Sequence, residues 1–415
     1  MSTFRGTLVE YERVSIDRFD GGNVNSTAFF LSHCHRDHMH GLGGKAFRNL
    51  LRSRSDIKLY ASELSCRLLV NEPKYAWLRR HLSALPLDSP RTLTVPTNGE
   101  CANGYDVVVT AISAGHCAGS VMFLFEGRRG VVLYTGDFRF DVGHTSTLAP
   151  LHYSGDGSVK PIRAAYVDTT FCHPDAAYVP TRRDSEEALV AFFEPRFRAG
   201  CRLRLALPGA QLGYETLFES LCIAFGVKVH VTGSQFARYA GVADVLDTLT
   251  TNARGTPIHA DCHCDLGANC VTVKLSAMWF AHRVAPSLLM ERLSDDSYRL
   301  CYSTHASLVE VRDLIRYLKP QAVRANVSVR GLDVSALLGV PCEKGAAEDP
   351  TWSFWSSEDE EDNGVCSEDT CGVEDMVGAK VVRSSGSPAT SPSCVLRSVL
   401  RPVPSRVSKL LDDLL

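Results

Sequence analysis

The chain has 415 residues, of which 45% are hydrophobic and 22% charged, a composition typical of a globular protein with a sizeable core. No apolar run reaches the roughly 18–20 residues that a transmembrane helix needs, and the N-terminal residues lack the apolar segment of a signal peptide. We therefore expect neither a membrane protein nor a secreted one. We expect its 15 cysteines to be reduced thiols, with a few of them binding metal.

The net charge of −3 is unevenly distributed along the chain. Residues 346–415 hold 13 acidic and 6 basic residues, a net of −7, which leaves 38 basic and 34 acidic residues, about +4, in residues 1–345. A mildly basic region is compatible with a nucleic-acid groove without proving one. The region from 346 onward is rich in Ser, Asp and Glu, and its low hydrophobicity predicts a disordered tail.

The first 140 residues predict short strands joined by loops and two helices. The predicted helices are Glu63–Val70 and Lys74–Leu82. Apolar or aromatic runs mark the predicted strands, which are Thr27–Ser32, Lys58–Ala61, Tyr105–Ile112, Val121–Phe125 and Gly130–Tyr134.

From about residue 160, strand-like and helical segments alternate, which predicts an α/β layer with a parallel sheet. A last helix, Ser307–Leu318, and a segment around Val327–Val329 close the ordered part. The alternating strands are Ala164–Val167, Arg202–Leu207 and Val227–Val231, and the helices are Glu186–Phe197, Tyr214–Phe225 and Arg238–Leu249.

The most informative motif is a run of potential metal ligands directly after the apolar strand Ala28–Leu31. Three imidazoles and one carboxylate within six residues cannot share one face of a regular element, so they indicate a loop in which ligands converge. This donor set suits zinc and leaves coordination positions open for water. The four potential ligands are His33, His35, Asp37 and His38.

Two further candidate ligands follow predicted strands. His116 comes after Val107–Ile112, and Asp137 follows Val131–Leu133 in a Thr-Gly-Asp turn. Either residue alone is more typical of an ordinary loop or turn. Their order and spacing relative to the first loop favour metal ligation for both.

This order of motifs resembles the metallo-β-lactamase superfamily. Asp168, in the run DTTFC, and His305 resemble further motifs of its β-CASP branch, which acts on nucleic acids, and the likeness is greatest to the DNA-repair nucleases of that branch. The resemblance covers roughly residues 1–340. It implies an αββα sandwich, formed by residues 1–158 and 303–345, with an inserted β-CASP α/β domain at 159–302, followed by the tail at 346–415.

The resemblance also implies a role for each motif residue. Asp17 is expected to position a ligand loop, and Asp168 to orient His305 or another ligand. The expected catalytic residues are Asp37, His38, Asp137, Asp168 and His305. One or two active-site Zn²⁺ ions are implied, with Mg²⁺ or Mn²⁺ as an alternative at the second position. The first ion would be held by His33, His35, His116 and Asp137, and the second by Asp37, His38, His305 and a bridging Asp137.

The expected DNA contacts lie in a groove between the two domains. Arg36 is inside the metal loop, and Lys74 matches a basic position near the DNA in the family. Tyr214 is either a base-stacking residue or a core tyrosine. Ser303 and Ser307 flank His305 as donors to a terminal phosphate. The basic surface is expected to continue through Arg79, Arg80 and His81.

A structural Zn²⁺ site in the inserted domain is implied by the same resemblance. His230, His259 and Cys270 match its positions, but Asp261 stands where the family has its second cysteine. We predict Cys262 as the fourth ligand, with Cys264 in reserve. The alternative is that these two cysteines are ordinary loop thiols. A closed site of two His and two Cys would stabilise the loop.

The function implied is that of a metal-dependent DNA endonuclease and 5′-exonuclease. Expected substrates are hairpins, overhangs and single-strand/double-strand junctions, processed in the nucleus during non-homologous end joining and V(D)J recombination. DNA-dependent protein kinase and a DNA ligase complex are the implied partners, with no membrane role.

Several alternative functions remain open. The closest is a 5′-exonuclease acting on crosslinked or telomeric DNA. An RNA-processing relative is disfavoured because the stretch 327–330 lacks a further histidine, and a small-molecule hydrolase is disfavoured by the inserted domain. A non-enzymatic scaffold is the least favoured, because every expected ligand is present.

Overall fold

The computed structural model describes residues 2–97, 104–207, 212–261, 264–281, 289–328 and 334–339. The predicted acidic tail lies outside these residues. Helices within them are α1 (Lys45–Ser53), α2 (Glu63–Asn71), α3 (Arg182–Arg198), α4 (Glu215–Phe225), α5 (Gly233–Arg238), α6 (Ala243–Thr248), α7 (Leu308–Leu318) and α8 (Val334–Leu338).

The strands of the described residues form three sheets. They are β1 (Val14–Ile16), β2 (Ala28–Phe30), β3 (Leu59–Ser62), β4 (Leu82–Leu85), β5 (Arg91–Val95), β6 (Tyr105–Ser113), β7 (Val121–Gly127), β8 (Gly130–Tyr134), β9 (Ile162–Val167), β10 (Arg202–Ala206), β11 (Val229–His230), β12 (Leu249–Thr250), β13 (Ile258–Ala260), β14 (Cys270–Leu275), β15 (Met290–Arg292), β16 (Ser297–Leu300) and β17 (Ala322–Ala325).

Two sheets pack face to face and form the sandwich. The first has the order β1-β2-β3-β4 with parallel pairing, and the second has the order β17-β9-β8-β7-β6-β5 with mixed pairing. Apolar side chains of both sheets meet in one core, where the Phe30 ring lies 5.3 Å from Phe123 and 5.1 Å from Phe125. Separate apolar clusters include residues of α1 on the outer face of the first sheet and of α7 on that of the second. This arrangement confirms the predicted α/β class and its αββα layering.

The inserted domain is built around the third sheet, with the strand order β12-β11-β13-β10-β14-β16-β15. Its pairings are parallel except between β15 and β16. Buried side chains of α3 and α4, including Leu189, Phe193 and Phe218, share one core with this sheet. Helix α3 begins with a capping box, in which Thr181 and Asp184 satisfy each other's backbone N–H groups.

Two predicted helices and one predicted domain boundary need correction. Within Lys74–Leu82 only Ala76–Arg80 forms a 3₁₀ turn, because Leu82 starts the edge strand β4. The predicted helix Arg238–Leu249 is not continuous. Helix α5 ends at Arg238, and Gly241, at φ +81°, separates it from α6. The boundary at residue 158 is too early, because β9 pairs with β8 and β17 inside the sandwich.

None of the helices in the described ranges combines the length and apolar character required to cross a membrane.

Candidate metal centre

The predicted ligands converge because they follow strands that end at one edge of the sandwich. Asp17 follows β1 and the first histidine loop follows β2, while His116, Asp137 and Asp168 follow β6, β8 and β9. The sheets meet at this edge through backbone bonds such as that from Val121 N to Ser32 O, 3.0 Å. A 3₁₀ turn over Arg36–His38 then folds the loop back on itself.

The first cluster brings four predicted ligands together. His33, His35, His116 and Asp137 each offer one ligand atom, and these atoms lie within 4.8 Å of one another. Asp137 Oδ2 is 3.6 Å from both His33 Nε2 and His116 Nε2. His116 Nε2 is 2.9 Å from His35 Nδ1. Such proximity of ring nitrogens and a carboxylate is a donor set for a metal ion.

The second cluster shares Asp137 with the first and adds Asp168 and His305. His305 Nδ1 lies 2.9 Å from Asp168 Oδ2 and 3.8 Å from Asp137 Oδ2. On the other side, His38 Nε2 lies 3.3 Å from Asp137 Oδ1 and 3.7 Å from Asp37 Oδ2. Asp137 therefore lies between all the predicted ligand groups.

Hydrogen bonds on the outer side of the histidine rings orient them toward this centre. His38 Nδ1 lies 2.8 Å from Asp17 Oδ2, and His33 Nδ1 lies 3.0 Å from Ser32 Oγ, which itself donates to Asp17 at 2.6 Å. His116 Nδ1 faces the Thr304 carbonyl at 2.8 Å. When the outer nitrogen donates, the inner nitrogen is left as an acceptor, which is the tautomer that a metal requires.

Burial and neighbouring charges set the protonation of the centre. Burial lowers the pKa of His33 and His116 well below the ordinary value, and it is also the main cause of the lowered pKa of His35. Burial opposes ionisation of Asp137, but charges on His38 and His305 bring its pKa well below the usual range. For His38, burial is outweighed by Asp137 and Asp17, which raise its pKa. Neutral rings of His33, His35 and His116 thus face an ionised Asp137, which favours the protonated form of His38 in the metal-free centre.

Two buried nitrogen atoms indicate that the cluster fits a metal ion. His33 Nε2 and His38 Nε2 have no hydrogen-bond partner within the described part of the chain, although both rings are almost fully buried. An unsatisfied buried polar atom costs roughly 1–3 kcal/mol. A cation at the centre would satisfy these nitrogens, and mixed imidazole and carboxylate donors suit zinc or a similar divalent ion.

The predicted DNA contacts fall into two groups. Arg36 is exposed beside the centre, and Lys74 is exposed with its Nζ 2.9 Å from Glu72 Oε1. Tyr214, Ser303 and Ser307 are buried, which argues against their contact with DNA. Tyr214 is 5% exposed and packs on Tyr302, while the hydroxyls of Ser303 and Ser307 bond to the His305 carbonyl and to Glu310.

Two arginines that the sequence did not single out hold the loop that carries His305. Arg139 is buried and donates to the carbonyls of His305 and Pro180, each at 2.7 Å. Its guanidinium also lies 3.3 Å from the Glu310 carboxylate. Arg182, the first residue of α3, donates to the His116 carbonyl at 2.8 Å and to Ser303 O at 3.3 Å. Arg139 lies two residues after Asp137, a position that places it in the same strand-end loop; nothing in the sequence marks Arg182.

A second candidate metal group lies in the inserted domain. Ligand atoms of His230, His259 and Cys264 are within 4.8 Å of one another, and the buried His259 Nε2 has no partner among the described residues. Cys264, the reserve ligand, therefore joins the two histidines. Cys262 lies outside the described residues. Cys270 is on β14, paired with Arg202 of β10, and it is not a member of the group.

Comparison with known proteins gives a family and several relatives. Residues 274–331 match the family described as DNA repair metallo-beta-lactamase. The chain is 37% identical to Protein artemis of Danio rerio, over 83% of this chain and 56% of the relative, and 38% identical to that of Gallus gallus, over 79% and 48%. It is 30% identical to the 5′ exonuclease Apollo of Gallus gallus, over 77% of this chain and 61% of the relative. The chain thus spans about half the length of the Artemis relatives.

Proposed function

We propose that this chain, whose residues 274–331 match the DNA repair metallo-beta-lactamase family and which resembles Artemis proteins over most of its length, is a metal-dependent nuclease that processes DNA ends. The observation that carries the proposal is the cluster of His33, His35, His116 and Asp137, in which the buried His33 Nε2 lacks a partner among the described residues. The 35–38% identity to Artemis proteins supports DNA as the substrate class.

We propose endonucleolytic opening of hairpins and trimming of overhangs, together with 5′-exonuclease activity, in the nucleus during non-homologous end joining and V(D)J recombination. Similarity to Artemis supports this over the alternative, a 5′-exonuclease in crosslink repair or at telomeres, because the identity to Apollo is lower. DNA-dependent protein kinase and a DNA ligase complex are the proposed protein partners.

The chain's own residues would prepare this chemistry. His33, His35, His116 and Asp137 would hold one ion, and Asp37, His38, His305 and the shared Asp137 a second. Bound divalent ions would supply a hydroxide near neutral pH and neutralise the charge of the phosphodiester. When His38 binds metal, Asp17 would hold its remaining proton on Nδ1, so that Nε2 faces the centre. Asp168 fixes the His305 ring beside Asp137, and the exposed Arg36 guanidinium is available to the incoming phosphate.

A test compares hairpin DNA, DNA with a 5′ overhang and single-stranded RNA, each end-labelled, with the purified full chain. We expect cleavage of both DNA substrates, loss of cleavage with a chelator, and recovery when Zn²⁺, Mg²⁺ or Mn²⁺ is added back. Comparison of the three ions shows which of them support the reaction. Preferential cleavage of RNA, or DNA cleavage that survives the chelator, would contradict the proposal.

We also propose that His230, His259 and Cys264 hold a structural Zn²⁺ in the inserted domain. Their proximity and the unpartnered His259 Nε2 support this. Burial lowers the pKa of His259 to about 4, so its ring is neutral and able to bind metal at physiological pH.

A further inference from the structure

A basic pocket of about 370 Å³ lies on the sandwich domain, outside the metal centre. Two segments form it, the C-terminal end of α1 and the 3₁₀ turn that precedes β4. Four of its six lining residues carry a basic side chain and one is a tryptophan. The lining residues are Arg52, Ala76, Trp77, Arg79, Arg80 and His81.

The positive charge of this pocket is not neutralised by the protein. In the part of the chain that the structure describes, Arg52, Arg79 and Arg80 form no ion pair with an acidic side chain, and Lys58 Nζ donates to the Arg80 carbonyl at 3.4 Å. The carboxylate of Asp56, between α1 and β3, is already paired with Arg54 at 2.7 Å. Uncompensated cations in a concave surface concentrate anions there.

Two buried donors at the pocket also lack acceptors. Trp77 Nε1 and Arg48 Nε have no hydrogen-bond partner among the described residues, although both atoms are inaccessible to solvent. The Arg48 guanidinium lies 4.7 Å from the centre of the Trp77 ring, so the two side chains form one unit. The exposed guanidinium groups of Arg52, Arg79 and Arg80 around this unit favour a ligand that accepts hydrogen bonds and carries negative charge.

The pocket is separated from the metal centre by the length of the first sheet. Lys58 and His81 directly precede the parallel strands β3 and β4, whereas His33 follows the end of β2. The register of β2 and β3 aligns Phe29 with Leu59. At about 3.3 Å per residue, the start of β3 is then on the order of 15 Å from the metal loop. One phosphate cannot occupy both places.

We propose that this pocket binds a phosphate of the nucleic-acid backbone at a distance from the cleaved bond. The inference rests on the proposed DNA substrate. Duplex DNA advances about 3.4 Å per base pair along each strand, so a phosphate in this pocket would lie at least about four or five base pairs from the cleaved bond. Guanidinium groups suit this ligand because their planar N–H pairs match two phosphate oxygens at once. The pocket therefore fixes the duplex in place while the metal centre acts on its end.

The experiment measures equilibrium binding of a non-cleavable DNA duplex of about 20 base pairs over a range of salt concentrations. The full chain, with chelator present, is compared with Arg52→Glu/Arg80→Glu and with Trp77→Phe. Arg198→Glu is the control, because Arg198 is an exposed arginine at the far end of α3. In parallel, binding of pyrophosphate to the same proteins is followed by calorimetry.

We expect the double variant to lower the slope of log K against log salt by about 0.9 for each phosphate group that is no longer bound, and to abolish pyrophosphate binding. Trp77→Phe, which removes a buried N–H that a ligand in the pocket does not reach, and Arg198→Glu should both leave the two readouts unchanged. Unchanged salt slope and pyrophosphate binding in the double variant would overturn the proposal. Loss of pyrophosphate binding alone would overturn the DNA assignment. The pyrophosphate measurement needs no DNA cleavage, so failure of the proposed nuclease function is recognised separately.

Discussion

Asp17 shows how one buried carboxylate organises the metal centre without facing it. It accepts hydrogen bonds from the Ser32 N–H at 2.7 Å, from His38 at 2.8 Å and from the Tyr134 hydroxyl at 2.8 Å. It does so from the strained left-handed backbone region, at φ +56°. One side chain therefore ties the ends of β1 and β2 to β8 and orients the ring of His38, a proposed metal ligand.

Replacement of Asp37 by Asn should reduce DNA cleavage at least a hundredfold, because an amide is a much weaker metal ligand than a carboxylate. The fold should persist, since the Asp37 side chain is 29% exposed on a loop. Cleavage rates and thermal unfolding of the variant, beside Asp156→Asn on an exposed loop as a control, provide the measurement. Near-normal activity in Asp37→Asn would remove this residue from the proposed ligand set.

Metal binding at His38 should release a proton at neutral pH. Despite its burial, Asp137 and Asp17 raise the pKa of His38 well above its usual value, so the free ring is protonated at pH 7. A metal ion needs the unprotonated nitrogen, so affinity at this position should rise with pH across the neutral range. His33 and His116 have lowered pKa values and should release none.

Calorimetric titration with Zn²⁺ in buffers of different ionisation enthalpy measures the number of protons released. We expect the wild-type chain to release about one proton more per ion at the second position than a His38→Ala variant, since His305, whose pKa is also raised, is present in both proteins. Equal proton release by both proteins would contradict the assignment to His38.

At the scale of elements, strand register determines which cysteine can join His230 and His259 in the candidate zinc group of the inserted domain. β13, β10 and β14 are adjacent strands, and Cys270 pairs with Arg202 whereas His259 pairs with Arg204. Neighbouring strands are about 4.8 Å apart, so β13 and β14 are roughly 10 Å apart. Cys264 lies in the loop after β13, and its ligand atom is within 4.8 Å of those of His230 and His259.

Zinc content should therefore distinguish the two cysteines. In a chain that also carries His35→Ala and His38→Ala to weaken the first centre, Cys264→Ser and His259→Ala should each lose about one zinc, whereas Cys270→Ser should retain it. Mass spectrometry of the native protein and elemental analysis give the zinc content. Loss of zinc in Cys270→Ser would favour the ligand set expected from the family resemblance over the three-residue group of the structure.

Sequence patterns predicted that the candidate ligands lie at strand ends because His33, His116 and Asp137 each follow a recognisable apolar run. The same patterns could not assign β9 to a sheet, since an apolar run carries no information about its partners. They also could not show that Tyr214 is buried, which depends on packing against Tyr302. Arg139 and Arg182 look like ordinary surface charges until the fold brings backbone carbonyls to them.

At the scale of the whole molecule, Arg182 connects the inserted domain to the metal centre. Its guanidinium reaches the backbone beside both His116 and His305. Together with Arg139, it holds the 303–305 loop in the position that presents His305 to Asp137. The two domains are thus coupled at the centre through backbone carbonyls.

Arg182→Lys should lower metal affinity and DNA cleavage by about tenfold while the chain stays folded, because lysine keeps the charge but cannot reach several carbonyls at once. Arg183→Lys is the matched control, since the side chain of Arg183 is 85% exposed and pairs with Glu187. Zinc titration monitored alongside cleavage separates a positioning role from general loss of stability. Equal effects of the two substitutions would contradict this role.

The hydrogen bond between His116 and the Thr304 carbonyl joins residues 188 positions apart. A ribosome synthesises roughly 5–20 residues per second, so a chain that already contains the first histidine loop waits many seconds before the segment at 303–305 emerges. During that time the nascent chain lacks both His305 and the carbonyl that orients His116. The centre is therefore completed late in synthesis, and truncated products that stop before residue 303 are expected to lack nuclease activity.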